Sequence, residues 1–507
     1  MKVGQLIATI LLLSVTCLLI ACNHSEKPEV KRVIDPGLRL FFAIEMNGQV
    51  CGYKEMHLER VLTAAGEMNL LTEKMNFRMN LMGKQVFTKG AIDWFFDTTM
   101  QHLTYSSVSI DQGNLHIRSS LGITGDTVRI KSSSDNRDEL IILAPDVRFE
   151  NNLYRKYLLS ELPQDTSASL NVQMFNEMKG RTDNKTYQWA GRDTLWLAEN
   201  QYQTIRVEEI NQTTGEYSEL WLEENTGLIV QAILYTSNFK FYLADRDIPN
   251  RLVSARVDDI LFYQVDTIIP DFKNLSRMKV KAVINSSGEL LSVKNLNYPG
   301  QKFTGTVDKN IISGIFEVSH PRYDGKNAPG FPYDFPLDSA LQNYLKPEFL
   351  IESEDPKIRK KAEEIVGNDV SDSWEVVKKL SFWVGTYIED AIPGGGSAIG
   401  TLNIMKGECG GHSRLLAAFC RSVGIPARLS IGCMYVPDKG GFFGQHAWTE
   451  VYMGEAGWIP VDATIDEFDY IDSGHIRLGE ETSFHPKEIE ILEYSTGSGN
   501  TSSSGHK

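Results

Sequence analysis

Short segments in which apolar and polar residues alternate dominate the first half of the chain. Asn47-Gly48 separates two such segments and is a strong hairpin signal. The segment 217–223, the turn 224–227 and the segment 228–234 form the clearest predicted hairpin. Hairpins in series without helices between them predict a large antiparallel sheet, and we assign residues 38–250 to one β domain.

The pattern changes twice after residue 250. Alternation resumes at 278–284 and predicts a second β region over 251–320. The prolines of the following stretch stop both helices and central strands, so 321–345 is predicted to be a linker.

Apolar residues recur at helical spacing from Ile358 and again from Trp374, which predicts that helices begin a third region, 346–490. The Ser/Gly-rich end, 491–507, is predicted to be a disordered tail. The fold class expected for the whole chain is α+β, with a large antiparallel β-rich region before the α+β domain.

The first residues are predicted to be a targeting signal rather than part of the fold. An apolar run ends at Leu19-Ile20-Ala21-Cys22, which resembles a bacterial lipobox. The resemblance implies that residues 1–21 are removed, that Cys22 is lipidated, and that 22–37 is a tether. A plain signal peptide or an N-terminal anchor is the alternative. The expected location is the bacterial cell envelope, with the lipid on Cys22 as the membrane contact.

The net charge and the number of cysteines exclude one class of partner and one class of fold. The net charge of −15 and the lack of a long basic run argue against nucleic acid. Cys51, Cys409, Cys420 and Cys433 are too few for a disulfide framework, although a Cys420–Cys433 bridge stays open.

No Cys/His cluster has the spacing of metal ligands, and neither a metal nor another cofactor is expected. A calcium site is only weakly indicated, by the acidic residues Asp462, Asp466, Glu467 and Asp469.

Cys409 is the first candidate for chemistry. It precedes a predicted helix with apolar residues at Leu415, Phe419 and Val423. The positive end of a helix favours a thiolate, and its free amides can bind an oxyanion. Gly410 and the following glycine would leave backbone uncovered beside the sulfur. A buried structural cysteine is the alternative.

His446 and Asp462 are the second and third candidates. Alternation places His446, Trp448 and Glu450 on one face of a predicted strand, and Asp462 lies on the next strand after the turn 454–457. Adjacent antiparallel strands would bring the imidazole and the carboxylate together. The carboxylate would orient the imidazole, and the imidazole would ionise the Cys409 thiol.

These segments resemble the transglutaminase-like, papain-fold family over about 345–475. The resemblance rests on Gly407-x-Cys409 at a helix start, Gly424-Ile-Pro-Ala-Arg428 before a strand, His446-Ala-Trp448-x-Glu450, and Trp458 followed by Asp462-Ala-Thr464. It implies that Cys409 is the nucleophile, His446 the base and Asp462 its orienting group.

Gly410, Gly411 and His412 depart from the bulkier polar residues that many family members have after the cysteine. His412 is a rival base, and Trp448, Gly410 and His412 are the substrate-cleft candidates.

The leading hypothesis is an envelope-anchored thiol acyltransferase or hydrolase. It would act on peptide or isopeptide bonds of a protein or peptide through a thioester, which an amine or water then resolves. The alternative is a non-catalytic lipoprotein whose β domains bind a protein, glycan or lipid and whose transglutaminase-like domain is a scaffold.

Overall fold

The structure, a computed structural model, describes residues 27–133, 137–177, 179–235, 237–480, 483–497 and 501–503. The predicted signal 1–21 and Cys22 lie outside these residues. Strands account for 52% of the structure and helices for 16%, so the chain is more β-rich than the α+β class that the sequence predicted. Among the described residues, no helix has both the length and the apolar character needed to cross a membrane.

The first sheet has 15 strands in the part of the chain that is described. They are β1 (Val30–Met46), β2 (Gln49–Thr63), β3 (Gly66–Leu81), β4 (Lys84–Phe96), β5 (Leu103–Gln112), β6 (Leu115–Thr124), β7 (Thr127–Ser132), β8 (Arg137–Ile142), β9 (Ser169–Asn176), β10 (Arg181–Leu197), β11 (Asn200–Asn211), β12 (Tyr217–Glu223), β13 (Ile229–Leu234), β14 (Phe239–Ala244) and β15 (Ala255–Arg256).

Two antiparallel meanders make up this sheet. Strands β1 to β8 pair in sequence, β9 to β14 pair in sequence, and β1 joins the two meanders by pairing with β14. The helix α1 (Lys156–Glu161) packs on the second meander through Leu158. Leu71 and Val128 of the first meander share a core with Phe175 and Val230 of the second. The sheet therefore bends until its two halves pack against each other.

The remaining elements follow in chain order. The helices are α2 (Asp258–Leu261), α3 (Ser339–Asn343), α4 (Pro356–Val366), α5 (Ser373–Tyr387), α6 (Ala398–Ile404) and α7 (Cys409–Ser422). The strands are β16 (Phe262–Gln264), β17 (Leu275–Ser287), β18 (Gln301–Asp308), β19 (Ile311–Val318), β20 (Glu389–Asp390), β21 (Lys406–Gly407), β22 (Ala427–Val436), β23 (Phe442–Tyr452), β24 (Trp458–Val461), β25 (His475–Gly479), β26 (Ser483–Thr496) and β27 (Thr501–Ser503).

The predicted second β region is joined to the C-terminal domain. Strands β18, β19, β17, β26 and β27 form one sheet, and β16, β23, β22 and β25 form another, with β24 on β23. Val280 and Phe316 of the first of these sheets share a core with Tyr435 and Ile476 of the second. Residues 251–320 therefore do not form a separate unit.

Three sequence-predicted boundaries differ from the structure. Residues 30–37 of the predicted tether belong to β1, and 491–496 of the predicted disordered tail belong to β26, where Ile491 is buried. The predicted linker 321–345 packs on the C-terminal core through side chains such as Phe331. Its prolines limit regular structure to the short helix α3, but they do not prevent burial of its aromatic residues.

Helix α7 lies at the centre of the C-terminal core. Leu415, Leu416 and Phe419 are fully buried. The helix contacts α4, α5 and α6 as well as β22 and β23. Because burial on all sides fixes the helix, it fixes the position of Cys409 at its first turn.

Candidate active site

The first turn of α7 is tied directly to β23. The Ser413 hydroxyl lies 2.8 Å from the carbonyl oxygen of Cys409 and 2.9 Å from that of Ala447. The Thr449 hydroxyl donates to the carbonyl oxygen of Ser413 at 3.0 Å. These bonds hold the helix end that carries Cys409 against the strand that carries His446.

His446 connects the other two predicted triad members. Its Nε2 lies 2.5 Å from Asp462 Oδ2, and Cys409 lies close enough to the ring to raise its pKa. With Nε2 on the carboxylate, Nδ1 is the ring atom left for the thiol. Asp462 Oδ1 accepts a hydrogen bond from the backbone amide of Thr464 at 2.9 Å, and the aspartate is fully buried. The structure thus brings all three sequence-predicted residues together in the order expected for a nucleophile, a base and an orienting group.

The electrostatics of the pair favour a protonated imidazole. Burial alone would lower the pKa of His446, but the charge and hydrogen bond of Asp462, with Cys409, raise it to about 9. Burial opposes ionisation of Asp462 as well, yet His446 and His475 hold its pKa well below the usual range. An imidazolium between a carboxylate and a thiol is suited to stabilise a thiolate.

Cys409 is also the accessible cysteine among those described. It is half-buried, whereas Cys51, Cys420 and Cys433 are buried, and all four are free. The disulfide that the sequence left open between Cys420 and Cys433 is therefore not formed. Burial raises the pKa of the Cys51 thiol to about 11 and that of Cys420 to about 12, which keeps both thiols protonated at neutral pH.

The three substrate-cleft candidates are buried rather than exposed. Gly410 is covered, and a side chain there would press against Glu408. Trp448 is 1% exposed and packs beside His446 with their ring centroids 6.3 Å apart. These residues support the site from within and do not line its opening.

His412, the rival base, is placed for a different role. Its Nδ1 lies 3.0 Å from the carbonyl oxygen of Glu408, and its Nε2 lies 3.2 Å from that of Ile388. Both ring nitrogens are therefore engaged by backbone, and the ring is 1% exposed. His412 anchors the start of α7 to the residues that precede β20.

Sequence reasoning missed a second histidine. His475 Nε2 lies 3.3 Å from the same Asp462 oxygen that contacts His446. His475 Nδ1 faces Asp472, and Glu467 lies beside both. The only local signal was a histidine three residues after an aspartate at a strand start, which is too common a pattern to single out.

Two groups of described side chains could hold a metal ion: His446 with Asp462 and His475, and Glu467 with Asp472 and His475. The calcium set suggested by the sequence does not converge, because Asp466 and Asp469 are exposed whereas Glu467 is buried.

The N-terminal sheet reaches the edge of the site. In the turn between β5 and β6, Gly113 packs so closely on Pro393 that a side chain would collide with its ring, and Leu115 contacts Gly396. Arg414 of α7 donates to the Gly396 carbonyl oxygen at 2.6 Å. One hairpin of the sheet thus supports the loop 392–396, which lies between that sheet and the first turns of α7.

Comparisons with known proteins agree with this location. Residues 359–463 match the family model of the transglutaminase-like superfamily. The matched range contains Cys409, His446 and Asp462. The chain therefore carries a transglutaminase-like domain.

An uncharacterised protein of Haemophilus influenzae is 25% identical over 186 residues, which are 32% of this chain and 48% of that protein. The chain thus spans about half the length of this curated relative.

Two solved structures are distantly similar. A proposed cysteine protease from Cytophaga hutchinsonii is 15% identical with a TM-score of 0.32, over 49% of this chain and 94% of that one. A TGase is 12% identical with a TM-score of 0.17, over 54% of this chain and 73% of that one. These scores are too low to assign an activity.

Proposed function

We propose that the protein is a cysteine acyl-transfer enzyme that cleaves amide bonds through a thioester on Cys409. The observation that carries the proposal is the position of His446, which contacts both Cys409 and Asp462. The half-exposed thiol and the transglutaminase-like match over 359–463 support the same reaction class.

The geometry supports a two-step reaction. The Cys409 thiolate attacks the amide carbonyl carbon, and the amide at the first turn of α7 donates to the resulting oxyanion. The His446 imidazolium gives its proton to the departing amine as the carbon–nitrogen bond breaks. In the second step, neutral His446 takes a proton from an amine or a water molecule. That acceptor attacks the thioester and releases Cys409 as a thiolate.

The first test is selective alkylation at neutral pH. Of the four cysteines that the structure describes, iodoacetamide is expected to alkylate Cys409 alone in the wild-type protein and none in Cys409→Ala, read by peptide mapping. The three buried cysteines are an internal control, because they should remain unlabelled in the folded protein. Equal labelling of the wild type and Cys409→Ala would contradict the proposal.

The second test identifies the acceptor. Wild type and Cys409→Ser are incubated with a peptide library and a labelled primary amine. A new amide indicates a transferase, and cleaved or deamidated peptide indicates a hydrolase. In either case Cys409→Ser should be inactive.

A binding function is the second candidate because the N-terminal sheet contains a separate cavity. It has a volume of about 660 Å³ and is lined by serines, by the cations Lys27, Arg118, Lys131 and Arg137, and by Asp93 and Asp138. This hydroxyl-rich lining, with an excess of cations, suits a polar glycan better than a lipid. This candidate predicts saturable binding to anionic glycan fragments that persists in Cys409→Ser and weakens in Lys131→Glu. If both peptide products are absent and glycan binding is present, the binding function is favoured.

We further propose, from the lipobox-like sequence alone, that Cys22 carries a lipid and anchors the protein in the cell envelope. Cys22→Ser is expected to move the protein from the membrane fraction to the soluble fraction. Mass spectrometry of the wild-type N-terminal peptide should detect the acyl chains.

A further inference from the structure

A buried network of ionisable side chains continues behind Asp462. Asp462, Glu467, Asp472 and His475 are each at most 3% exposed. None of the last three takes part in the reaction proposed above. Because buried charges are costly unless they are paired, the arrangement of these groups defines what each can do.

Both ring nitrogens of His475 face acceptors. Nε2 lies 3.3 Å from Asp462 Oδ2, while Nδ1 lies 3.2 Å from the backbone carbonyl oxygen of Asp472 and 3.5 Å from its Oδ1. A carbonyl or an ionised carboxylate can only accept a hydrogen bond. His475 satisfies both contacts by donating from both nitrogens, as an imidazolium.

The two further carboxyl groups lie beside this ring. The Asp472 carboxylate accepts a hydrogen bond from the backbone amide of Gly474. The backbone amide of Asp472 donates to Glu467 Oε2 at 2.8 Å. Glu467 Oε1 and Asp472 Oδ2 are buried without a hydrogen-bond partner. A proton on one of these two carboxyl groups would remove one of the two adjacent negative charges.

Burial, followed by the charge of Asp472, raises the pKa of Glu467 to about 9. Glu467 is then the protonated member of the pair at neutral pH. Asp472 Oδ1 lies 3.5 Å from His475 Nδ1, so the carboxyl pair borders the histidine ring.

We propose that His475 is a positioning residue for the active site: it holds Asp462 Oδ2 in line with His446, and the Glu467–Asp472 pair holds His475 in turn. The proposal rests on the acyl-transfer function proposed above. Asp462 is bound at three points, since His446 and His475 contact Oδ2 and Thr464 contacts Oδ1. Without His475, the carboxylate would lose the contact that opposes its rotation away from His446.

The titratable groups that face His475 come from several elements. They are His446 of β23, Asp462 at the end of β24, Glu467 and Asp472 of the segment before β25, and His320, whose Nε2 lies 3.0 Å from the His475 carbonyl oxygen. Burial lowers the pKa of His320 to about 4, so this ring adds no competing positive charge at neutral pH.

Two variants of His475 separate positioning from mere packing. In His475→Gln the amide nitrogen takes the place of Nε2 and can still donate to Asp462. In His475→Asn the amide lies near Nδ1, so the bond to Asp462 is lost. Both variants remove the charge and leave a polar side chain in the same cavity, and thermal unfolding will report their common effect on the fold.

The primary readout is the titration of the His446 ring by nuclear magnetic resonance, which needs no substrate. We expect a midpoint of about 9 in the wild type. Because both variants lose the His475 charge beside His446, the midpoint in His475→Asn should lie more than one unit below that in His475→Gln, where Asp462 is still held. We expect His475→Gln to keep most of the shift. The rate of Cys409 alkylation at pH 7 should fall at least tenfold in His475→Asn and recover to within about threefold of wild type in His475→Gln.

Equal midpoints, or equal losses of alkylation rate, in the Asn and Gln variants would overturn the positioning role. A wild-type protein whose Cys409 does not react would count against the proposed function, while the His446 titration would still test the positioning role. A bound divalent ion whose removal by EDTA changes the His446 midpoint would also overturn the proposal, because the carboxyl pair would then be a metal site.

Discussion

Two buried groups of charged side chains, one in the N-terminal sheet and one behind Cys409, differ in their cations. In the sheet, Glu150 lies 2.8 Å from Lys185 Nζ and 3.2 Å from Arg155 Nη2. Behind Cys409, Asp462 is paired with His446 and His475 instead. Glu150 and Lys185 keep 17% and 15% of their side chains exposed, whereas Asp462 and His475 are fully buried, and the two groups also differ in the identity of the cation.

This difference distinguishes a structural cluster from a reactive one. Burial opposes ionisation of Glu150, but Arg155 and Lys185 outweigh it and lower its pKa to about 2. Lysine and arginine keep their charge at any pH at which the protein is folded, so this cluster holds a fixed arrangement. A histidine can lose its proton near neutral pH, and a cluster built on histidines can therefore move protons during a reaction.

The largest effect is expected for Asp462→Asn. The amide keeps the shape of the carboxylate but removes the charge that keeps His446 protonated. We expect kcat/KM to fall by roughly 10³- to 10⁴-fold, as when the orienting aspartate of a catalytic triad is lost. Peptide cleavage or amide formation measures the loss, and circular dichroism checks the fold.

Glu450→Gln is the matched control for that variant. Glu450 lies on the same strand as His446, is buried, and pairs with Arg428 at 2.7 Å and Arg477 at 2.9 Å. Because Glu450 is paired with arginines and not with histidines, Glu450→Gln should lower the free energy of unfolding and leave kcat/KM within a few-fold of wild type. A loss of activity comparable to that of Asp462→Asn would contradict the distinction between the two kinds of cluster.

A second prediction concerns the stability of the sheet. Glu150→Ala leaves Arg155 and Lys185 buried without their shared carboxylate. Breaking a buried ion pair from one side costs about 3–5 kcal/mol of unfolding free energy. Urea unfolding followed by tryptophan fluorescence should detect this loss, while the alkylation rate of Cys409 in the folded protein should not change. A slower alkylation would mean that the sheet controls the thiol.

The two clusters should also respond to opposite ends of the pH range. The pKa of Glu150 is depressed, so its stabilisation is complete above the ordinary value of about 4.3 and is lost as the pH falls through about 2. The pKa of His446 is raised, so its stabilisation is complete below about 6.5 and is lost as the pH rises through about 9.

Of these two titrations, only that of His446 should change the enzymatic activity. As the pH rises through about 9, the imidazolium that protonates the leaving amine disappears, and kcat/KM should decline. The decline should move to lower pH in Asp462→Asn, since burial then dominates. A decline at the same pH in both proteins would assign it to another group.

Local sequence patterns were sufficient where structure is local. The turn at Asn47-Gly48 connects β1 to β2, and the predicted hairpin at 217–234 is formed by β12 and β13. Cys409, His446 and Asp462 each lie in a short motif of their own, at the start of a helix, in a strand and directly after a strand, so the sequence alone could propose them.

Contacts between distant parts of the chain were not predictable in the same way. Strand β17 pairs with β26, about 200 residues later. Both strands show the usual alternation of apolar and polar residues, which does not indicate the strand with which each pairs. His475 faces Asp462 only after β25 has paired with β22. Its role therefore depends on tertiary structure, and so does the packing of the proline-rich segment 321–345.

The smallest expected effect tests whether the two regions cooperate. Leu115, at the tip of the β5–β6 hairpin, contacts Gly396 in the loop beside the first turns of α7. Leu115→Ala should loosen that loop and raise KM for a peptide substrate about threefold, with kcat unchanged, because it would weaken ground state and transition state alike. Iodoacetamide, which is too small to need the loop, should alkylate Cys409 at the wild-type rate. The control is Leu140→Ala on β8, a residue that is 66% exposed, which should leave KM unchanged. Equal KM values for all three proteins would mean that the sheet does not shape substrate binding, and that the two regions are joined only structurally.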